Sequence, residues 1–310
     1  MNNSTISIVI PVYNVEKYVK ETLISVKNQD SEPDEVIIIN DGSTDNSYEI
    51  IKEFKELKKW KILQTENQGL GLTRNYGKSL AKSEYIYFLD SDDILENNFV
   101  YEIRKIINLY KKPDIILFSG KIFSHNESIN QEINLKFSLD GQYFRGDRLL
   151  TSLVKKKETL PQASRYITKK TLWTKNKLDY PAGIAEDEGL FFPLISLSEN
   201  TVINSKNFYK YRVDRPGSIT LDKPIQSHAD DYLNRILFTI DFMNTNKKLV
   251  NYDINAWHYN LERKCLKYVN LCLKTKTKIS WKIILKIFLK TSSYIFLSKI
   301  LWRITRNILK

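Results

Sequence analysis

Over the first 120 residues, apolar positions alternate between two periods. Short runs at residues 6–10, 36–39, 60–64, 85–89 and 114–118 are rich in β-branched and aromatic residues and read as strands, the second of them buried on both faces. Between them the spacing becomes helical. Val15, Tyr18, Val19, Leu23 and Val26 mark one helix over 15–29. Thr44 or Asp45 caps a second running to about residue 58, a third follows the turn at 67–71 and occupies 72–82, and a fourth covers about 96–110. Strand and helix alternating four times with short links predict a mostly parallel α/β sheet with helices on both faces. In such sheets ligands lie beyond the C-terminal ends of the strands. Pro11-Val12-Tyr13, Asp41-Gly42, Asn67 and Asp90-Ser91-Asp92 all fall at those ends, so the polar chemistry is expected to converge on one edge.

After Lys121 the alternation is lost. Residues 124–141 are polar and irregular, 146–155 suit a short helix, and 165–167 suit a strand added at the sheet edge. A loop at 181–184 delivers Glu186-Asp187-Glu188 to an apolar helix over 189–196. Residues 208–213 alternate as a strand, Arg215-Pro216-Gly217-Ser218 is a basic turn, and 229–278 read as helix. Trp173 and Tyr180 read as core packing.

The acid run Asp90-Ser91-Asp92-Asp93 admits two readings. Asp or Ser ahead of Ile94-Leu95-Glu96 is good helix-capping chemistry, whereas clustered carboxylates also suit a hard divalent cation. Both fit if Asp93 caps the next helix while Asp90 and Asp92 face the cation.

Charge locates a second feature. The chain has a net charge of +12, and ten of those charges lie between Leu271 and Lys310, where there is no acid. Residues 277–310 interleave Lys and Arg with Trp281, Leu285, Leu289, Ile295, Trp302 and other bulky apolar residues, with a break expected at Thr291-Ser292-Ser293. This composition suits two helices lying in the plane of an anionic membrane. Packing on the rest of the chain or in a homodimer stays open. The bulky aliphatic content argues against nucleic acid. Cys265 and Cys272, seven residues apart on a helix, are about 10 Å apart, too far for a disulfide, which fits a reducing compartment and a cytoplasmic location. No signal peptide and no membrane-spanning run are apparent.

Four motifs then come in order: Val9-Ile10-Pro11-Val12-Tyr13-Asn14, Asn40-Asp41-Gly42-Ser43-Thr44-Asp45, Asn67-x-Gly69 with Thr73-Arg74-Asn75-x-Gly77, and Asp90-Ser91-Asp92-Asp93. Over residues 6–120 they closely resemble the inverting glycosyltransferases of family 2, which have the GT-A fold. Glu186-Asp187 before a helix and Tyr211-Arg212 with Gly217-Ser218-Ile219 extend the likeness.

The resemblance implies a nucleotide-sugar-binding half over 1–120, an acceptor half over 121–225 and a helical, basic amphipathic region over 226–310. It implies transfer of a sugar from a UDP-type nucleotide sugar to a hydroxyl of a saccharide or lipid-linked saccharide. Pro11, Val12 and Tyr13 would wall the base, with Asp41, Asn67 and Arg74 beside it. Asp92 would ligate Mn2+ or Mg2+, with Asp90 reaching the ribose and the metal's water shell. Arg212, Arg215 and Ser218 would close over the diphosphate. Asp187, or Glu186 as its competitor, would be the general base. A membrane-docked binding protein without turnover is the alternative reading.

Overall fold

The structure is a computed structural model that describes residues 4–124, 134–159, 161–183, 186–213 and 226–308. In chain order the strands are β1 (Ile6–Val12), β2 (Glu35–Asp41), β3 (Trp60–Thr65), β4 (Tyr85–Phe88), β5 (Ile94–Leu95), β6 (Ile115–Phe123), β7 (Asn134–Leu135), β8 (Gly141–Phe144), β9 (Tyr166–Lys169) and β10 (Asn200–Arg212). The helices are α1 (Val19–Lys27), α2 (Ser47–Lys52), α3 (Leu70–Leu80), α4 (Phe99–Leu109), α5 (Leu149–Lys155), α6 (Lys170–Asn176), α7 (Glu186–Leu197), α8 (Gln226–Thr245), α9 (Lys247–Tyr252), α10 (Ile254–Thr275), α11 (Trp281–Thr291) and α12 (Tyr294–Ile308).

The chain forms two compact units, the first made of Met1–Asp147, Leu160–Ala182 and Leu197–Pro216, the second of Arg148–Thr159, Gly183–Ser196 and Gly217–Lys310. The whole sheet belongs to the first. Its strand order is β3-β2-β1-β4-β9-β6-β10-β5, with β7 beside β6 and β8 beside β10. β3, β2, β1 and β4 are mutually parallel, as the alternating pattern predicts. β1 and β2 are buried along their whole length, which is why they read as continuous apolar runs.

Two expectations about the sheet are corrected. The strand at 166–169 is not at the edge. It is inserted antiparallel between β4 and β6, with Ile167 opposite both Tyr87 and Ile116. Four residues carry no local signal of their partners, and pairing across 80 positions is a long-range choice. The second correction concerns the residues after the acids. Ile94-Leu95 form β5, antiparallel to Tyr209–Lys210, and α4 begins only at Phe99. Asp93 is therefore not a helix cap, and the residue before α4, Asn98, makes no capping side-chain bond.

One face of the sheet packs on α1 and α4 through a cluster that includes Tyr87, Phe99, Phe118 and Phe208, whose ring centroids lie 4.6–6.3 Å apart. Phe99 and Phe208 meet edge to face, a favoured aromatic geometry. On the other face α3 lies close to β1. A Cβ added to Gly77 would stand 2.3 Å from Val9 Cγ1, so this position admits no side chain without displacing the helix. Phe88, Trp173 and Tyr180 form a second aromatic cluster, buried as expected for core residues.

The second unit is helical. Trp257 of α10 is fully buried, stacked on Phe242 at 5.1 Å and edge-on to Phe192 at 5.5 Å. Cys265 and Cys272 are free and buried, and burial pushes the Cys265 thiol up to about 12. A left-handed Ser292, at φ 52°, ends α11 where the break was expected. Among the described residues, no helix is long and apolar enough to cross a membrane.

Candidate active site

The sheet brings the ends of β1, β2, β3 and β4 to one edge. β1 runs through Pro11 to Val12, and both are buried opposite Ile39 and Asn40. Tyr13 then emerges, 47% exposed. Asn14 turns the chain at φ 50° and is sewn to the next loop, its N–H donating to Ser43 Oγ at 3.1 Å and its Oδ1 accepting from Thr44 N–H at 2.8 Å. Ser47 Oγ accepts from Val15 N–H at 2.8 Å, and Asp45 accepts from Glu16 N–H at 3.0 Å. Much of the Asn40–Asp45 motif thus shapes the loops rather than facing a ligand.

Asp41 is nearly buried, and its carboxylate organises the β3–α3 connection. Oδ1 accepts from Thr65 Oγ1 and from Gln68 N–H, each at 3.1 Å, and Oδ2 from Gly69 N–H at 2.9 Å. A carboxylate has about four acceptor positions, so one remains on Oδ2. Gly42, at φ +69°, lies so close to the same connection that a Cβ there would be 2.7 Å from Asn67 N. Asn67 itself is exposed.

Arg74 of α3 is only 2% exposed. Its Nη2 donates to Asp90 Oδ1 at 2.6 Å, and its guanidinium lies 5.4 Å from the Tyr180 ring centroid. The next residue, Asn75, clasps the Tyr180 backbone in both directions, at 2.7 and 2.8 Å. One turn further on, Lys78 pairs with Asp179 at 2.6 Å. The Thr73–Gly77 motif therefore fixes both Asp90 and the 178–180 segment. No feature of the sequence pointed to Tyr180 as Arg74's neighbour, since over a hundred residues separate them.

The acid loop begins where β4 ends. Leu89 N–H still donates to Val9 O at 3.0 Å, and Asp93 N–H closes a turn on Asp90 O at 3.1 Å. Asp90 and Asp92 are partly exposed, whereas Asp93 is fully buried. Burial, then the neighbouring Asp92 and Asp90, push the Asp93 carboxyl well above its ordinary range. Arg212 supports the loop from beneath. Its N–H donates to Asp93 Oδ1 at 2.9 Å, its Nε to Asp92 O at 2.7 Å and its Nη2 to Glu21 at 2.6 Å. Its guanidinium also lies against Phe123 and Tyr18, at 4.5 and 4.9 Å. It is 3% exposed, a strut under the acid loop rather than a solvent-facing clamp. Arg215 and Ser218 lie outside the described residues.

The acids fit a hard divalent cation. Asp90 and Asp92 supply oxygen donors only. Among the described residues no group of three or more His, Cys, Asp or Glu converges as a metal cage. Mg2+-type sites use one or two carboxylates and leave the other positions to water and phosphate, and this donor set matches that economy.

In the helical unit, Glu186, Asp187 and Glu188 form the first turn of α7, three residues earlier than the apolar pattern suggested. Asp187 Oδ1 accepts from Glu188 N–H at 2.7 Å. Glu188 is committed to α10, paired with Lys267 and, at 3.5 Å, with Arg263. Glu186 is buried. Arg235 of α8 is buried too. Burial draws its pKa down, while Asp231, Glu186, Tyr232 and Asp187 oppose the shift. The sequence reading missed Arg235, which stands within a helix with no motif around it.

Tyr13, Asp41 and Asp90-Ser91-Asp92 thus stand at the strand ends of one α/β sheet, with Arg74 of α3 paired to Asp90. The sequence family described as Glycosyl transferase family 2 matches residues 7–169, just over half the chain. This chain belongs to that family. GlyG, a glycosyltransferase of Streptococcus pneumoniae serotype 4, is 31% identical over 226 residues, covering 69% of this chain and 72% of its own. GlyA of the same organism is 33% identical over 225 residues, but this chain spans only 31% of it. The crystal structure of S. aureus TarS 1–349 in complex with UDP-GlcNAc superimposes with a TM-score of 0.66 at 18% identity, over 86% of this chain and 81% of that one. The fold is thus GT-A-like, a mostly parallel mixed sheet with helices, followed by C-terminal helices.

Proposed function

We propose that this chain transfers a sugar from a UDP-sugar to a hydroxyl of a saccharide or lipid-linked saccharide, with inversion at the anomeric carbon. The observation that carries the reading is the ion pair of Asp90, just past the end of β4, with buried Arg74 of α3, beside Asp92. Phosphate-bearing donors call for cations there, and a cation partner calls for clustered carboxylates. The UDP-GlcNAc bound by TarS supports a uridine donor.

In this reading Tyr13, Pro11 and Val12 wall the base, Asp41 and Asn67 offer polar contacts, and Arg74 sets the charge beside the diphosphate. Arg215 and Ser218 would contact the diphosphate, while Arg212 holds the acid loop. Asp92, with Asp90, would hold Mn2+ or Mg2+. When bound, such a cation supplies positive charge to the leaving diphosphate. Asp187 takes the proton of the acceptor hydroxyl as its oxygen bonds to the anomeric carbon. The bond from that carbon to the diphosphate oxygen breaks, and its electron pair leaves with UDP. Glu186 is the competing base. Residues 1–120 serve the donor, 121–225 the acceptor, and 226–310 form the helical region. Docking of residues 277–310 on the inner face of an anionic membrane would bring the enzyme to a lipid-linked acceptor. A homodimer through the same residues is the competing arrangement.

The test is UDP release over a panel of UDP-sugars with Mn2+ or Mg2+, for the wild type and Asp92→Ala. Metal-stimulated release that Asp92→Ala loses supports the reading. No metal-stimulated release with any donor overturns it in favour of a binding protein.

A further inference from the structure

The last two described helices carry two apolar faces each, and folding accounts for only one. Ile284 and Ile287 of α11, and Phe296 and Ile300 of α12, are buried where these helices pack on α10. Polar ties hold α11 as well, with Ser280 N–H donating to Tyr268 Oη of α10 and Lys290 Nζ to Asn244 Oδ1 of α8, both at 2.9 Å. On the outward side of α11, Trp281, Leu285 and Leu289 recur every four residues and are 51–69% exposed. On α12, Tyr294, Ile295, Leu301 and Trp302 recur at seven-residue spacing and are 49–78% exposed. Residues four or seven apart share a helix face, so the α11 set is a continuous stripe and the α12 set is two apolar pairs on one face, with exposed Ser298 and Lys299 between them.

Cations line these faces. Lys282 and Lys286 each follow an exposed apolar residue by one position, about 100° round the helix, whereas on α12 Lys299 and Arg306 stand one turn after Ile295 and Trp302, with the Arg306 guanidinium 5.2 Å from the Trp302 ring. All four are exposed, as are Lys274, Lys276 and Lys278 just before α11. No acid occurs anywhere from Leu271 to the end of the sequence.

We propose that the outward faces of α11 and α12 seat on an anionic lipid surface. The combination selects the occupant. A neutral apolar partner would cover the tryptophans but leave the cations unmatched. A second copy of the same face would bring like charges together. A nucleic acid would match the cations and leave bulky apolar side chains against phosphates. An anionic bilayer takes both, with headgroups facing Lys and Arg and the acyl boundary taking Trp, Leu and Ile. The proposal deepens the peripheral attachment named above but rests on this surface and not on the transfer chemistry. A chain that binds vesicles without transferring sugar leaves it standing.

The experiment is flotation of the full chain with phosphatidylglycerol-containing vesicles and with pure phosphatidylcholine vesicles. The variants are Lys282→Gln, Lys286→Gln, Trp281→Ala and Trp302→Ala, with circular dichroism confirming unchanged helix content. The expected result is co-flotation with the anionic vesicles only, weakened by added salt and about fivefold by each Lys→Gln change. Co-flotation untouched by all four variants overturns the proposal, as does no binding to anionic vesicles. A stable dimer by light scattering that Leu285→Glu dissociates, in a chain that binds no vesicle, assigns the face to a second copy instead.

Discussion

The backbone N–H of Arg212 donates to the buried Oδ1 of Asp93 at 2.9 Å, joining residues 119 positions apart. The same residue's guanidinium holds Asp92 O and Glu21. The end of β10, the start of α1 and the acid loop thus share one buried cation. Arg212→Ala would leave the Asp92 carbonyl without this donor and open a gap against Phe123 and Tyr18. A loss of about 2–4 kcal/mol in stability is expected, with Glu21's exposure keeping it below the range for a fully buried pair. Arg212→Lys should recover little, because one ammonium cannot reproduce the forked donors. The denaturation midpoint in urea measures this. A midpoint for Arg212→Lys equal to wild type would refute the strut.

Asp90 and Asp92 should separate by readout. Asp90 compensates Arg74, which is 2% exposed. Asp90→Asn leaves that buried guanidinium without its carboxylate, so it should lower thermal stability by about 2–3 kcal/mol as well as activity. Asp92→Asn should reduce metal-stimulated UDP release with a stability change within about 1 kcal/mol. Calorimetry on the two apo variants distinguishes them. Equal destabilisation would remove the division of labour.

The alternating strands and helices of the first 120 residues were legible because β1, β2 and β4 are buried on both faces and each link is short. Local periodicity and global topology agree there. β9 and β5 were not legible in place or partner. Each is four residues or fewer, and its position depends on neighbours far along the chain. The site shows the same division. The acids and Arg74 stood out by motif, but Arg212's strut, Tyr180 beside Arg74 and the capture of Asp41 by Gln68 and Gly69 are products of folding. Asp93 illustrates the difference. Its sequence neighbours suggested a helix cap, and the fold uses it as a buried acceptor for a distant strand.

Asp187 and Glu188 are adjacent but should fail differently. Asp187→Asn removes the proposed base and should lower kcat by about 10^2–10^4 with little change in donor KM. Glu188→Gln breaks the pairing with Lys267 and Arg263 and should act on stability instead. Steady-state kinetics beside thermal unfolding tests both. If Glu188→Gln loses kcat as steeply as Asp187→Asn while staying folded, the base assignment moves.

The buried Lys264 sets a pH dependence of stability. Its Nζ donates to Thr239 Oγ1 at 2.8 Å, and burial draws its pKa down from 10.5 to about 7. Glu188 opposes that shift, whereas Arg263, Arg235 and Lys267 add to it. The folded-state value is the lower one, so between about 7 and 10.5 the unfolded chain binds more protons. Stability attributable to this group therefore rises with pH across that window, by at most about 1.4 kcal/mol per unit. Below it Lys264 is charged in both states, and the cost of burying the ammonium is felt in full. Lys264→Met should flatten the rise between neutral pH and pH about 9 and stabilise the chain near neutrality. Urea unfolding across that range measures the slope, and an identical slope in wild type and variant would show that Lys264 is not its source.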